Sequence, residues 1–379
     1  MWALVLLVLV AGSLVYCVVT IIAAARYCAL RSAAGGGGAT RPWPPISVLK
    51  PLAGVDDGLE ENLRTFFEQK YPDFEILLAV RSPEDPAREV AERLRTEYPA
   101  VASRLIVTGN PPYANAKVFS LERMLAVARH DLIVMADSDV RIGPGMLAAI
   151  SREFAAPEVG LVTCPYRAAP GRSFWSTLEA IGLNTEFIGG VLAAWMLLGM
   201  KFALGPTIAA RREMLADIGG FDAVKDYLAE DFVMGKLAAA KGYRVVLSSY
   251  VIEHRIGGQR FAANWKHRLR WHRSTRRSRP CGYVGLIFTN SLPLALLLWA
   301  ARPEWWPVAA VTALFRAAAA WATAGWVLRD PLTARRWWLV PVEDAASFLV
   351  WIAGFFGNTI LWRGRRYSLR ADGRFELVK

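Results

Sequence analysis

His130-Asp131-Leu132-Ile133-Val134-Met135-Ala136-Asp137-Ser138-Asp139 is the stretch on which the fold turns. Leu132 to Met135 is an unbroken run of large apolar side chains, as in a strand covered on both faces. The run stops at two carboxylates one residue apart. In an open α/β sheet, ligands gather beyond the carboxyl ends of the strands. Asp137 and Asp139 therefore stand where a divalent cation and a phosphate can meet. Hard oxygen ligands on a short turn suit Mg²⁺ or Mn²⁺ better than Zn²⁺. The competing reading is an Asp-Ser-Asp turn that only caps the next helix, and the motif alone does not choose.

Outward from this stretch, strands and helices alternate. Ile46 to Leu49, Phe74 to Val80 and Leu105 to Val107 read as strands. Leu59, Leu63, Phe66 and Phe67 recur at helical spacing, with Asp56 or Asp57 as the cap. Helices are expected at Pro86 to Tyr98 and Lys117 to Ala128. After Asp139 come another helix, a strand at Gly160 to Thr163, and a helix opening at Tyr227-Leu228-Ala229-Glu230-Asp231-Phe232. That helix closes at Gly242, and Tyr243 to Ser248 is a further strand. The alternation predicts a Rossmann-like, mostly parallel sheet with helices on both faces. No Gly-x-Gly-x-x-Gly or P-loop pattern follows any strand, so dinucleotide and NTPase readings lack their fingerprints.

The rest of the chain points to a membrane. Of 379 residues, 54% are hydrophobic, and the net charge is +12. Much of the excess positive charge lies next to apolar segments, which fits anionic headgroups. Nucleic-acid binding, the rival reading of a basic chain, is disfavoured by the Trp-rich apolar segments. Cys17, Cys28, Cys164 and Cys281 form no Cys-x-x-Cys pair and read as free thiols in a reducing compartment.

Residues 1–27 read as an uncleaved transmembrane anchor, too long for a signal-peptide core. Arg26 and Arg31 behind it imply a cytoplasmic catalytic domain. Residues 28–44, with Gly35 to Gly38, read as a flexible linker and 45–258 as the catalytic domain. Ile181 to Gly205 is apolar but interrupted by Asn184, Glu186 and Lys201, and is expected to lie at the interface rather than span. Residues 259–283 read as a basic helix on an anionic surface. The stretch 284–362 reads as a hairpin plus a segment, about Val342 to Trp362, that either spans or is re-entrant. Arg316 sits mid-span and calls for a buried partner or a cavity. A single crossing by every segment would put the basic tail 363–379 outside, against the positive-inside rule.

Several residues carry chemistry. Asp85, after the second strand, can accept from a base or ribose, or simply cap a helix. Lys117 can offset phosphate charge. Glu230-Asp231 can complement a helix dipole or supply a general base aimed at a hydroxyl. Arg270 can pair with a diphosphate while Trp271 stacks on a sugar or acceptor.

In this order these residues resemble the motifs of family 2-type GT-A glycosyltransferases. The resemblance tightens to ceramide glucosyltransferases and bacterial hopanoid-biosynthesis glycosyltransferases. It rests on Lys50-Pro51-Leu52-Ala53-Gly54-Val55-Asp56, Leu59-Glu60-Glu61-Asn62-Leu63 with Phe66-Phe67, and Tyr71-Pro72. Asp85-Pro86-Ala87, Tyr227 to Asp231 and Arg366-Tyr367-Ser368-Leu369-Arg370 extend it over nearly the whole chain. The resemblance implies a GT-A fold between an N-terminal transmembrane helix and a C-terminal hydrophobic helical region. It implies that Asp85, Lys117, Asp137, Arg270 and Trp271 bind a UDP-sugar. Asp139 with Asp137 would hold Mg²⁺ or Mn²⁺, Asp231 would be the catalytic base, and Glu230 and His267 would support them. His267 stands where the family's Gln/Arg-x-x-Arg-Trp motif has Gln or Arg. Asp139 stands where the animal ceramide enzymes have glycine, which looks closer to the bacterial branch.

The implied activity is inverting transfer of one sugar, glucose or N-acetylglucosamine, to the hydroxyl of a lipid, ceramide or a hopanoid polyol, at a bacterial inner membrane. A processive polysaccharide synthase shares the motifs but needs a channel that two or three C-terminal segments do not supply. A non-catalytic membrane scaffold would not need all these carboxylates, and a lipid-transport module would move substrate without transferring sugar.

Overall fold

The structure, a computed structural model, describes residues 1–34, 43–362 and 365–378. Its strands are β1 (Ile46–Pro51), β2 (Phe74–Val80), β3 (Ala102–Val107), β4 (Leu132–Ala136), β5 (Val140–Arg141), β6 (Val159–Thr163) and β7 (Tyr166–Pro170). They continue as β8 (Thr207–Arg211), β9 (Arg244–Leu247), β10 (Ile252–Ile256), β11 (Thr359–Trp362), β12 (Arg365–Leu369) and β13 (Phe375–Leu377). Seven of them form one sheet in the order β3-β2-β1-β4-β8-β6-β9. Only β8 runs against its neighbours. This is the expected α/β fold with a mostly parallel sheet. β4 is central and buried at all five positions, as its apolar run requires.

Two small sheets flank the main one. In the order β5-β10-β7, β10 pairs antiparallel with β5 and parallel with β7. The meander β11-β12-β13 turns the C-terminal tail back onto the catalytic domain. There Tyr227 bridges Arg374, and the Phe375 amide donates to the Asp226 carbonyl at 3.0 Å. None of β8, β10 and β11 to β13 was expected from the sequence.

The first helix, Trp2–Ala34, corrects the start of the expected linker. Nothing in residues 28–34 breaks a helix, and the domain holds this end: the Tyr27 hydroxyl donates to the Ser248 carbonyl at 2.5 Å, and Arg31 Nη1 to the Val327 carbonyl at 2.7 Å. The rest of that linker, from Gly35 through residue 42, lies outside the described residues. The helix Leu59–Phe67 is not capped by Asp56 or Asp57. Its cap is Gly58, left-handed at φ 78°, and Asp57 instead accepts from the Gly258 amide.

Among the described residues, three helices are long and apolar enough to cross a membrane: Trp2–Ser32, Phe174–Leu198 and Pro303–Val327. A pair bent by 63°, Pro280–Thr289 and Ser291–Ala301, joins them. Phe174–Leu198 is continuous, contrary to the broken segment expected. Asn184 does not break it because its side chain is satisfied by both backbone groups of Ala168 and by Asp330. Yet this helix cannot run from one side of a bilayer to the other. β6 precedes it and β8 follows it, and the two pair in one sheet.

The basic helix is Phe261–Ser278, and its arginines correct the surface-binding reading. Arg268 pairs with Glu343, Arg273 donates to the Phe356 and Thr359 carbonyls, and Arg276 to those of Phe355 and Gly357. Arg268 thus binds the first turn of the helix Val340–Gly354, Arg273 and Arg276 bind the carbonyls that follow its end, and together they hold it to the domain. A 3-10 turn, Trp337–Leu339, runs straight into that helix, and the segment is not among the described helices long and apolar enough to cross a membrane. Arg316 has the buried partner its position demands, with Nη2 and Nε at 2.6 and 2.9 Å from the Asp344 carboxylate.

Candidate active site

β1, β2 and β4 end at one edge of the sheet, where the helices Ala116–Leu125 and Glu230–Ala240 begin. A cavity of about 1690 Å³ opens there. Asp85, Lys117, Asp137, Asp139, Glu230, Asp231, His267, Arg270 and Trp271 all line it. Every residue singled out in the sequence thus reaches one space, although the first and last are 186 positions apart along the chain.

Lys117 is the hinge of the charge arrangement. Its Nζ lies 2.7 Å from Asp137 Oδ1 and 3.1 Å from Glu230 Oε1. Burial alone would lower its pKa, but the two carboxylates outweigh burial and raise it, so the ammonium persists. Asn115 caps the helix that carries Lys117 and donates to Glu230 Oε2 at 3.3 Å. Asp231, one residue on, has no ammonium against it. Burial, then the neighbouring Glu230 charge, push its carboxyl up to about 7. Gly205 faces it, and a Cβ there would come within 2.8 Å of Asp231 Oδ2.

Two residues behind the acidic turn take a place there that the sequence does not signal, although Lys50 heads the motif Lys50–Asp56. Lys50, at the end of β1, is fully buried, donates to the Asp137 carbonyl, and lies 3.9 Å from the centre of the Phe66 ring. Burial pushes this amine down to about 7. His254, on β10, sits with Nε2 3.2 Å from Asp139 Oδ2. The pairing of β10 with β5 brings it there, and a lone His between Glu253 and Arg255 announces nothing. Burial would raise the Asp139 carboxyl, but His254 outweighs it and holds the group below the usual range.

The turn fits a divalent cation in part. Asp139 Oδ1 and His254 Nδ1 are buried polar atoms with no hydrogen-bond partner. Among the described residues no group of three or more His, Cys, Asp or Glu is gathered to hold a metal ion. The free carboxylate oxygen of Asp139 suits a hard cation that takes most of its shell from phosphate oxygens and water. Asp137 is engaged with Lys117 rather than with Asp139.

On the opposite wall, His267 Nδ1 lies 2.8 Å from Glu179 Oε1, which leaves Nε2 as the ring's other polar atom. The His267 and Trp271 rings are 5.1 Å apart, and Trp271 also packs toward Phe187 at 6.5 Å. Glu179, buried on the helix Phe174–Gly182, was not foreseen as their support. Asp85 Oδ1 accepts from the Gly54 and Ala87 amides, both at 3.0 Å. It therefore caps its helix and ties the β1 and β2 loops together at the cavity rim.

The chain is similar to several known proteins. Ceramide glucosyltransferase 1 of Caenorhabditis elegans is 29% identical over 209 residues, 55% of this chain and 44% of the worm protein. The ceramide glucosyltransferase of Komagataella phaffii is 35% identical over 117 residues, 29% of this chain and 23% of the yeast protein. The chain thus spans less than half the length of these curated relatives. A solved mannosyltransferase from Pyrobaculum calidifontis, in complex with GDP-Man and Mn²⁺, covers 91% of this chain and 99% of its own at 20% identity, with a TM-score of 0.48. The model of glycosyl transferase family 21 matches residues 5–375, and the chain belongs to that family.

Proposed function

We propose that this protein is a membrane-bound inverting glycosyltransferase that moves one sugar, glucose or N-acetylglucosamine, from a UDP-sugar to a lipid hydroxyl. The observation that carries the reading is one cavity shared by a carboxyl poised near neutrality, Asp231, and a lysine-bridged acidic turn, walled on another side by long apolar helices. A carboxylate with a pKa of about 7 is matched to taking a proton from an alcohol at neutral pH. The acceptor oxygen attacks the sugar C1 opposite the diphosphate, its proton passes to Asp231, and UDP leaves. Arg270 and Lys117 supply positive charge toward the departing diphosphate. Asp85 orients the uridine, Trp271 and His267 flank the sugar, and Glu230 fixes Lys117.

Asp139 and His254, with Asp137 nearby, would hold Mg²⁺ or Mn²⁺, which would neutralise charge on the diphosphate. The acceptor class is a lipid alcohol, ceramide or a hopanoid polyol. Arg26 and Arg31 support a cytoplasmic catalytic domain at a bacterial inner membrane.

The test compares lipids from cells with and without the chain by mass spectrometry. A lipid class that loses one hexose or N-acetylhexosamine names both substrates, and a polymer product would overturn the reading. Purified protein is expected to lose transfer in EDTA and regain it with Mg²⁺ or Mn²⁺. Undiminished turnover in EDTA would remove the metal from the scheme.

A further inference from the structure

We propose that Glu186, with Thr289, forms a subsite for the acceptor's head. There it accepts from a second neutral donor, a hydroxyl or amide N–H, beside the hydroxyl that reacts at Asp231. The proposal rests on the lipid-hydroxyl reading above and adds which lipid alcohols fit.

The first argument is place. The cavity that holds Asp231 extends to Leu183, Glu186, Phe187 and Val191 on one side and to Leu286 and Thr289 on the other. These residues belong to the apolar helix Phe174–Leu198 and to the bend ahead of Ser291–Ala301. A lipid approaching Asp231 from the apolar side passes this gate. Glu186 is its acidic group, and the transfer mechanism does not use it.

The second argument is charge. A carboxylate in a long apolar helix is costly and is normally paired. Its two acidic neighbours in this region are paired, Glu343 with Arg268 and Asp344 with Arg316. Among the described residues Glu186 forms no ion pair, and Thr289 Oγ1 donates to it at 2.6 Å. A carboxylate accepts about four hydrogen bonds, so most of its capacity remains, and Glu186 is only partly buried. A carboxylate with no ion-pair partner among the described residues attracts hydrogen-bond donors and repels anionic headgroups.

The third argument is backbone geometry. Residues Leu183–Phe187 form a single π-helical turn inside the apolar helix. Such turns re-aim side chains and recur at functional sites. This one presents Leu183, Glu186 and Phe187 to the cavity together.

The test is equilibrium binding to nanodisc-embedded full-length protein with three radiolabelled probes of equal chain length. They are a short-chain ceramide, an alkyl 1,2-diol and a plain primary alkanol. A hydrogen bond to a charged acceptor contributes about 1.5–3 kcal/mol, so the wild type should prefer a donor-bearing probe over the alkanol by about tenfold or more. Preference for both identifies a hydroxyl as the bound donor, and preference for the ceramide alone assigns it to the amide N–H or the C3 hydroxyl, neither of which the diol carries. In Glu186→Ala the preference should collapse to within about threefold. Glu186→Gln keeps an accepting oxygen without the charge and should fall between; it also serves if the alanine variant does not fold. No preference in the wild type, or the same preference in both variants, overturns the subsite. Sugar transfer on the same preparations separates the two claims. Discrimination without transfer to any alcohol would overturn the transferase reading and leave the subsite standing.

Discussion

Asp231 and Lys117 show how two groups a few ångströms apart are set to opposite tasks. Lys117 is kept charged by two carboxylates, while Asp231 is pushed up to about 7 by burial and by Glu230. A base must be deprotonated to work, so the transfer rate should rise as pH increases through about 7 and level off above it. A flat profile between pH 6 and 8 would exclude this assignment. Asp231→Asn should lower transfer by about 10²–10⁴-fold with UDP-sugar affinity little changed, read by calorimetric titration. Lys117→Met should act the other way, weakening donor binding at least as much as turnover, because it leaves Asp137 and Glu230 facing each other without a cation. At this scale the sequence shows what ends an element: Asp137, Asp139 and Glu230-Asp231 stand where an apolar run stops or a helix starts. The contacts of Lys50 and His254 with the acidic turn are invisible in it because non-local strand pairing delivers them, β1 beside β4 and β10 beside β5.

Among the elements, the apolar helices are joined by polar links that the sequence shows only from one end. Arg316 announces the need for a partner, but Asp344, 28 positions later, looks like the polar start of another segment. The pair is buried, with Thr185 Oγ1 a further 3.1 Å contact of the guanidinium. Removing one member leaves a charge without compensation, so Arg316→Leu should destabilise the protein by about 3–5 kcal/mol. Arg316→Leu with Asp344→Leu should recover most of that, since an apolar pair of similar volume is often neutral or better. Thermal unfolding of the three proteins in one detergent decides it, and additive losses in the double variant would deny the coupling. The same logic explains why the helix Phe174–Leu198 runs unbroken through Asn184, which looks like an interruption in one dimension yet bonds Asp330 in three. β8 went unseen because its Ala-rich sequence lacks β-branched alternation, and its place between β4 and β6 supplies the order instead.

For the molecule as a whole, the sheet decides the membrane path. Phe174–Leu198 leaves the catalytic domain after β7 and returns to it at β8, so both its ends lie on one side. The limbs from Pro280 to Val327 also leave and return: Asn184, bound to both backbone groups of Ala168 in β7, donates to the Asp330 side chain that follows them. The segment ending in the helix Val340–Gly354 is not among the described helices long and apolar enough to cross, and β11 to β13 then close over the cavity, where Trp362, Tyr367 and Phe375 join its lining. The tail therefore shares a side with the catalytic domain, and its arginines no longer conflict with the charge rule once the last apolar segment is not counted as a crossing. Among the described residues, Val10 of the first helix packs with Leu294, Leu298 and Ala309, which flank the turn around Glu304. The path can be tested with single exposed cysteines, Glu89→Cys, Ser368→Cys and Glu304→Cys, in a Cys281→Ser background that removes the one exposed native thiol among the described residues. In sealed vesicles of known orientation, a membrane-impermeant maleimide should label positions 89 and 368 from one face and 304 from the other. Labelling of 368 together with 304 would mean that the final helix crosses, and the closure of the tail over the active cavity would fall with it.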